Sequence, residues 1–131
     1  MSRTDLLSDV FTMIRNAILA KKKTVDVPSS KMVASVLGIL KREEYIENYK
    51  LITDNKQGVA RVYLRYLANK SAIRTLKRIS RPSLRVYSNS KEMRPVLRSR
   101  GLAIVSTSKG VITDKEAREA NIGGEILAHV W

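Results

Sequence analysis

The apolar positions open on a helical rhythm. Leu7, Val10, Phe11, Ile14, Ala17 and Ile18 recur at spacings of three and four, which predicts an amphipathic helix over residues 2–20. Ser2 and Asp5 suit its N-cap, Asp5 and Asp9 suit the positive end of its dipole, and Lys21-Lys22-Lys23 closes the end that favours cations. Residues 24–27 read as a short strand stopped by Pro28. Ser29 or Ser30 then caps a second helix reaching about Arg42, with Val33, Val36, Leu37 and Leu40 as its stripe. Residues 45–53 and 59–66 read as strands joined by the turn-rich run 54–58. In the later strand Val62, Leu64 and Tyr66 alternate with Arg61, Tyr63 and Arg65, so one face packs and the other is basic.

The polar stretch 68–71 is the expected boundary between an N-terminal α/β unit, residues 1–67, and a C-terminal mostly-β unit, residues 68–131. Beyond it, 73–80 predicts a strand broken by Arg81-Pro82-Ser83, and 84–87 another. A short helix is expected within 91–100, then strands at 102–105 and 111–112. Thr113-Asp114-Lys115-Glu116 matches a capping box and opens one or two helical turns. Asn121-Ile122-Gly123-Gly124 ends them, and 125–131 returns as a final strand. The expected class is α+β, an N-terminal α/β unit of two helices and about three strands packed on the C-terminal unit.

At 131 residues and 44% apolar, the chain is long enough for one compact domain or two small ones. No apolar run approaches the roughly 20 residues that span a bilayer, and the N-terminus lacks the pattern of a secretory signal. The absence of cysteine excludes disulfides and thiolate metal sites. A soluble protein of a reducing, cytoplasm-like compartment is expected.

Charge changes the picture. Lys and Arg total 25 against 12 Asp and Glu, a net of +13 that favours a polyanionic partner. Between Lys70 and Arg100 the basic residues interleave with apolar ones (Arg74, Leu76, Arg78; Arg85, Val86, Tyr87), and Glu92 is the one acid. A phosphate-facing surface fits this alternation better than a generally solvated one.

Catalytic patterns are missing. There is no nucleophile elbow, phosphate-cradling loop or dinucleotide fingerprint, and no carboxylate cluster for a two-metal nuclease. His129, the one histidine, sits among apolar residues of the last strand and is read as packing or facing RNA. No catalytic site, metal or cofactor is expected. The segment Ser106-Thr107-Ser108-Lys109-Gly110 stands out instead. Its small hydroxyl side chains let a backbone approach a ligand closely, and each donates and accepts hydrogen bonds to bases, phosphates or a 2′-hydroxyl. Tyr87 ends a strand region rich in arginine, Arg81 and Arg85. It reads equally as a base-stacking ring or as a half-buried core tyrosine.

The run Val105-Ser106-Thr107-Ser108-Lys109-Gly110-Val111-Ile112-Thr113-Asp114-Lys115-Glu116-Ala117-Arg118, continued by Ile122-Gly123-Gly124-Glu125-Ile126-Leu127, closely resembles one family's signature. That family is the universal small-subunit ribosomal protein eight, in its bacterial and organellar form. Arg78-Ile79-Ser80-Arg81-Pro82, Leu84-Arg85-Val86-Tyr87, Pro28-Ser29-Ser30-Lys31 and Ile14-Arg15-Asn16 extend the likeness over the whole chain. The resemblance implies a structural constituent of the small ribosomal subunit that binds the central domain of its RNA early in assembly. In some bacterial members it also implies repression of their own messenger. It implies RNA contacts from Ser106, Thr107, Ser108, Tyr87, Gly124 and Glu125, and from Asp5, Arg15, Asn16 and Lys31 in the N-terminal unit. Lys109, Arg81 and Arg85 join them on charge and position. Neighbouring small-subunit proteins, five and twelve among them, are the implied protein partners. No membrane, no DNA and no obligate homo-oligomer is expected, and the implied location is the ribosome of the cytoplasm or of the chloroplast stroma. Three positions depart from the family pattern: Ser83 replaces a usual glycine, and Ala128-His129 replaces a common Cys-Tyr pair.

Overall fold

The computed structural model describes residues 5–53, 58–93 and 100–131, in two compact units, Met1–Ile73 and Arg74–Trp131. The architecture is α+β. Expectations for residues 2–4, for the turn at 54–57 and for a helix through 94–99 lie outside the described residues.

In the first unit, α1 (Leu6–Leu19) is capped by Asp5, whose carboxylate accepts from the Ser8 amide at 3.2 Å. The helix buries Leu7, Val10, Phe11, Ile14 and Ala17. It ends before the lysine run, so Lys21 takes a left-handed φ of 53° outside the last turn. β1 (Thr24–Pro28) includes Pro28, which pairs with Val59. An edge strand tolerates a proline there because the missing N–H costs no ladder bond. Ser30 caps α2 (Lys31–Arg42), its hydroxyl accepting from Val33 N at 3.1 Å. β2 (Ile46–Ile52) and β3 (Val59–Leu64) complete an antiparallel sheet of order β1-β3-β2. Ala60, Val62 and Leu64 alternate as the buried side of β3, against the helical stripes. Tyr66 leaves that alternation: it starts β4 (Tyr66–Leu67), which forms a hairpin with β5 (Lys70–Ser71). Ala68 and Asn69 turn it with φ of 52° and 65°, both left-handed, which matches the twist of a tight hairpin.

In the second unit, β6 (Leu76–Arg78) and β7 (Tyr87–Ser88) pair with the same long strand, β10 (Gly124–Val130). β10 in turn pairs with β8 (Leu102–Thr107), and β8 with β9 (Gly110–Thr113). The strands expected at 73–80 and 84–87 are shorter than their apolar alternation suggests. Between them Arg81 and Leu84 exchange backbone hydrogen bonds of 2.9 and 3.0 Å in a tight turn that interrupts the ladder. α3 (Asp114–Ala120) opens on the capping box, with Thr113 accepting from Glu116 N at 3.2 Å and Glu116 reaching back. Asn121 ends it in the left-handed conformation. Met93, Ala103, Val105, Ala117 and Ile126 form a buried cluster between α3 and the sheet.

Candidate nucleic-acid interface

The hydroxyl segment is a hairpin end. Ser106 and Thr107 are the last residues of β8, paired with Val111 and Gly110 of β9, and Ser108-Lys109 makes the two-residue turn. The strands expected at 102–105 and 111–112 leave all three hydroxyls between them. The apolar run stops at Val105, but the ladder continues because Gly110 takes a φ of 105° that closes a tight hairpin. The Thr107 hydroxyl is engaged at home: it donates to Gly110 O at 2.8 Å and accepts from Lys109 N at 3.1 Å. Ser108 and Lys109 are exposed. The turn therefore presents a hydroxyl and an ammonium on a base that Thr107 stiffens.

β10 lies beside this hairpin. Glu125 is the register partner of Ser106 on one side and of Tyr87 on the other. Gly124 lets the strands approach: a Cβ there would stand 2.2 Å from Ser106 O and 3.0 Å from Thr107 Cγ2. At Gly123 a Cβ would meet Ser88 O at 2.6 Å. The glycine pair thus sets the spacing of β7, β10 and β8.

Tyr87 is 69% exposed, which decides against a half-buried core ring and leaves its face accessible. The Glu125 carboxylate accepts from the Arg85 guanidinium at 2.9 Å and, in a short hydrogen bond, from the Ser80 hydroxyl. Ser80, fully buried, also accepts from Val86 N at 3.1 Å. Burial pushes the Glu125 carboxyl up, but the hydrogen bonds from Ser80 and Arg85 and the charges of Arg85 and Arg78 outweigh it and hold it below its ordinary value. Ser80 was not singled out in the sequence, since nothing about a lone serine before Arg-Pro signals burial. Arg78 turns inward, donating to Leu127 O at 2.8 Å. Arg81 and Arg85 are exposed and flank the Tyr87 strand.

The structure brings Ser106, Thr107, Gly124, Glu125 and Tyr87 onto strands of one sheet, with Ser108 and Lys109 on the β8–β9 turn and Arg81 and Arg85 in the segment that leads into β7. Asp5, Arg15, Asn16 and Lys31 belong to the other unit. Asp5 caps α1, and Arg15 donates to Thr12 Oγ1 at 3.2 Å on its surface. Asn16 is exposed near the end of that helix, and Lys31 is the exposed first residue of α2.

His129 lies beside a cleft with Asp114, Glu92 and Met93. Burial pushes its pKa down, and Lys77 adds to this against the opposing Asp114 charge. Asp114 is itself committed, accepting from Ala103 N at 3.0 Å and from Arg118 at 2.7 Å. Among the described residues no group of three or more His, Asp or Glu side chains is placed to hold a metal. No described helix is long and apolar enough to cross a membrane.

Comparison with known proteins places the chain in a family. The family model described as ribosomal protein S8 matches residues 5–131. The small ribosomal subunit protein uS8 of Geobacter metallireducens is 52% identical over the full length of both chains. Those of Shouchella clausii and Streptococcus uberis are 51% and 49% identical, again over the full length of both chains.

Proposed function

The chain belongs to the ribosomal protein S8 family, whose members are structural proteins rather than enzymes, and from that premise we propose that it is a primary binder of the central domain of small-subunit ribosomal RNA. The carrying observation is an exposed aromatic ring, Tyr87, and an exposed hydroxyl turn, Ser108-Lys109, on strands that flank β10 in one sheet, with Arg81 and Arg85 exposed in the segment that leads into Tyr87. A single-stranded or irregular RNA segment meets all three kinds of group at once. Bases stack on the ring, 2′-hydroxyls and base edges bond the hydroxyls, and phosphates meet the cations. A regular DNA duplex offers no splayed base to the ring and no 2′-hydroxyl to the turn.

In this reading Thr107, Gly124 and Glu125 shape the surface: one stiffens the turn, one sets strand spacing, one anchors Arg85. Ser106 contributes at the strand end. Arg15, Asn16 and Lys31 contact RNA from the N-terminal unit, with Asp5 at the start of α1. Neighbouring proteins five and twelve of the small subunit are the proposed protein partners, in cytoplasmic ribosomes. A messenger segment folded like the ribosomal site would occupy the same surface, which is the physical basis for repression of the protein's own messenger.

A filter-binding titration tests the reading. The full chain should bind a central-domain transcript at least about a hundredfold more tightly than an equal-length duplex DNA or a transcript of another rRNA domain, at one fixed salt. Equal affinity for all three would sink it.

A further inference from the structure

The basic outer face of β3 is not used by the site above, and within Met1–Ile73 the fold leaves it uncovered by helix. The stripes of α1 and α2 are buried together with Ala60, Val62 and Leu64 on one side of the sheet. The opposite side carries Arg61 and Tyr63, aligned with Asp26 and Thr24 of β1 and with Lys50 and Asn48 of β2. At one end an open groove is lined by Lys23, Lys41, Glu47, Asn48, Lys50 and Tyr63. The three lysines come from three places in the chain: past the end of α1, the last turn of α2 and the middle of β2. All three are exposed, and the Lys50 ammonium sits 5.7 Å from the centre of the Tyr63 ring. Asp26, aligned with Arg61 on the sheet face, is held by the Arg61 fork at 2.9 and 3.2 Å. Among the described residues Glu47 is the one carboxylate lining the groove, against three ammonium groups.

We propose that this groove is a second RNA site, which takes the phosphodiester backbone of a single-stranded segment with a base against Tyr63. The proposal rests on the RNA-binding reading above and adds a surface to it. Three flexible ammonium groups spread along a groove suit a chain of phosphates, since each is a point charge that follows a backbone without demanding a fixed planar partner. The aromatic ring adds sequence-tolerant stacking. The one aliphatic residue among the described lining, Leu64, is 6% exposed, so the apolar surface of the groove comes from the lysine stems and the Tyr63 ring, which suit the sugar and base of a nucleotide as the ammonium groups suit its phosphate.

The test uses the full chain carrying Tyr87→Ala and Ser108→Ala, so that binding of a short oligouridylate is read without the stacking ring and turn hydroxyl of the first site. Adding Lys23→Gln, Lys41→Gln and Lys50→Gln should weaken the oligouridylate roughly tenfold at moderate salt. The slope of log affinity against log salt should fall by about 2, three single-strand phosphate contacts at roughly 0.7 each. The melting temperature should stay put, and the same three positions as arginine should restore both affinity and slope. Unchanged affinity and slope in the glutamine variant would overturn the proposal. So would a variant that keeps oligouridylate binding but no longer co-sediments with small subunits, since a protein would then occupy the groove. The reading of the first site fails on a different result, a central-domain transcript indifferent to Tyr87→Ala and Ser108→Ala.

Discussion

At the scale of single residues, the interface is held by side chains that also hold each other. Glu125 shows this best: a carboxylate in a strongly basic protein, it is kept ionised by Ser80 and Arg85 rather than left to repel phosphate. Because its pKa lies below the ordinary value, the unfolded chain binds this proton more readily than the folded one. The stability it contributes is therefore present above the ordinary glutamate range and is lost as pH falls through its folded value. Glu125→Gln should lower stability near neutral pH by about 1.5 kcal/mol, the low end for charge-assisted hydrogen bonds, because Arg85 is half exposed. The variant should also show a shallower loss on acidification. Urea melts at neutral and acid pH measure both, and parallel pH profiles for the two proteins would count against the network. The same inward commitments alter which arginines are useful as probes of charge. Arg78 and Arg85 bond Leu127 O and Glu125, so removing them perturbs the fold, whereas Arg74 and Arg81 are exposed.

At the scale of elements, the helices and their caps were legible in the sequence because both signals are local. The 3.6-residue stripes, the Ser30 cap and the Thr113–Glu116 box depend on residues within one or two turns. Ser30→Ala should therefore cost about 1 kcal/mol and leave RNA affinity per folded molecule unchanged, as a thermal melt paired with a titration would show. A large affinity loss with an unaltered melt would mark Ser30 as a contact. The strands were less legible. The break at Arg81-Pro82-Ser83 was legible, but the strands on either side of it are shorter than their alternation suggests, and that both pair with β10 is a non-local outcome. The hairpin at 106–110 extends past the strands expected at 102–105 and 111–112, because its strand end is polar and pairing with β9 is not written in either segment alone. Gly124 was picked out as a contact on family resemblance, whereas its closeness to Ser106 O could only come from the register. Gly124→Ala should cost about 1–3 kcal/mol by forcing β8 and β10 apart. A wild-type melting curve for that variant would contradict the spacing role.

At the scale of the whole molecule, charge and shape divide the work. The net +13 supplies attraction to any polyanion, steep in salt and indifferent to sequence. Selectivity has to come from groups that a phosphate backbone does not satisfy, and in the function proposed here these are the Tyr87 ring and the Ser108 hydroxyl of Arg74–Trp131. Both are exposed, so their removal leaves the core intact. The account therefore turns on one titration series, in which wild type and the Tyr87→Ala/Ser108→Ala variant each bind a central-domain transcript and a random RNA of equal length. Losing a stacking contact of about 1–3 kcal/mol and a hydrogen bond of about 0.5–1.5 kcal/mol should weaken the cognate RNA at least tenfold. Random RNA should lose far less than the cognate RNA, and the salt slope should not move, since no cation is removed. Equal losses on both RNAs, or no loss on either, would contradict the claim that this surface reads the ribosomal site.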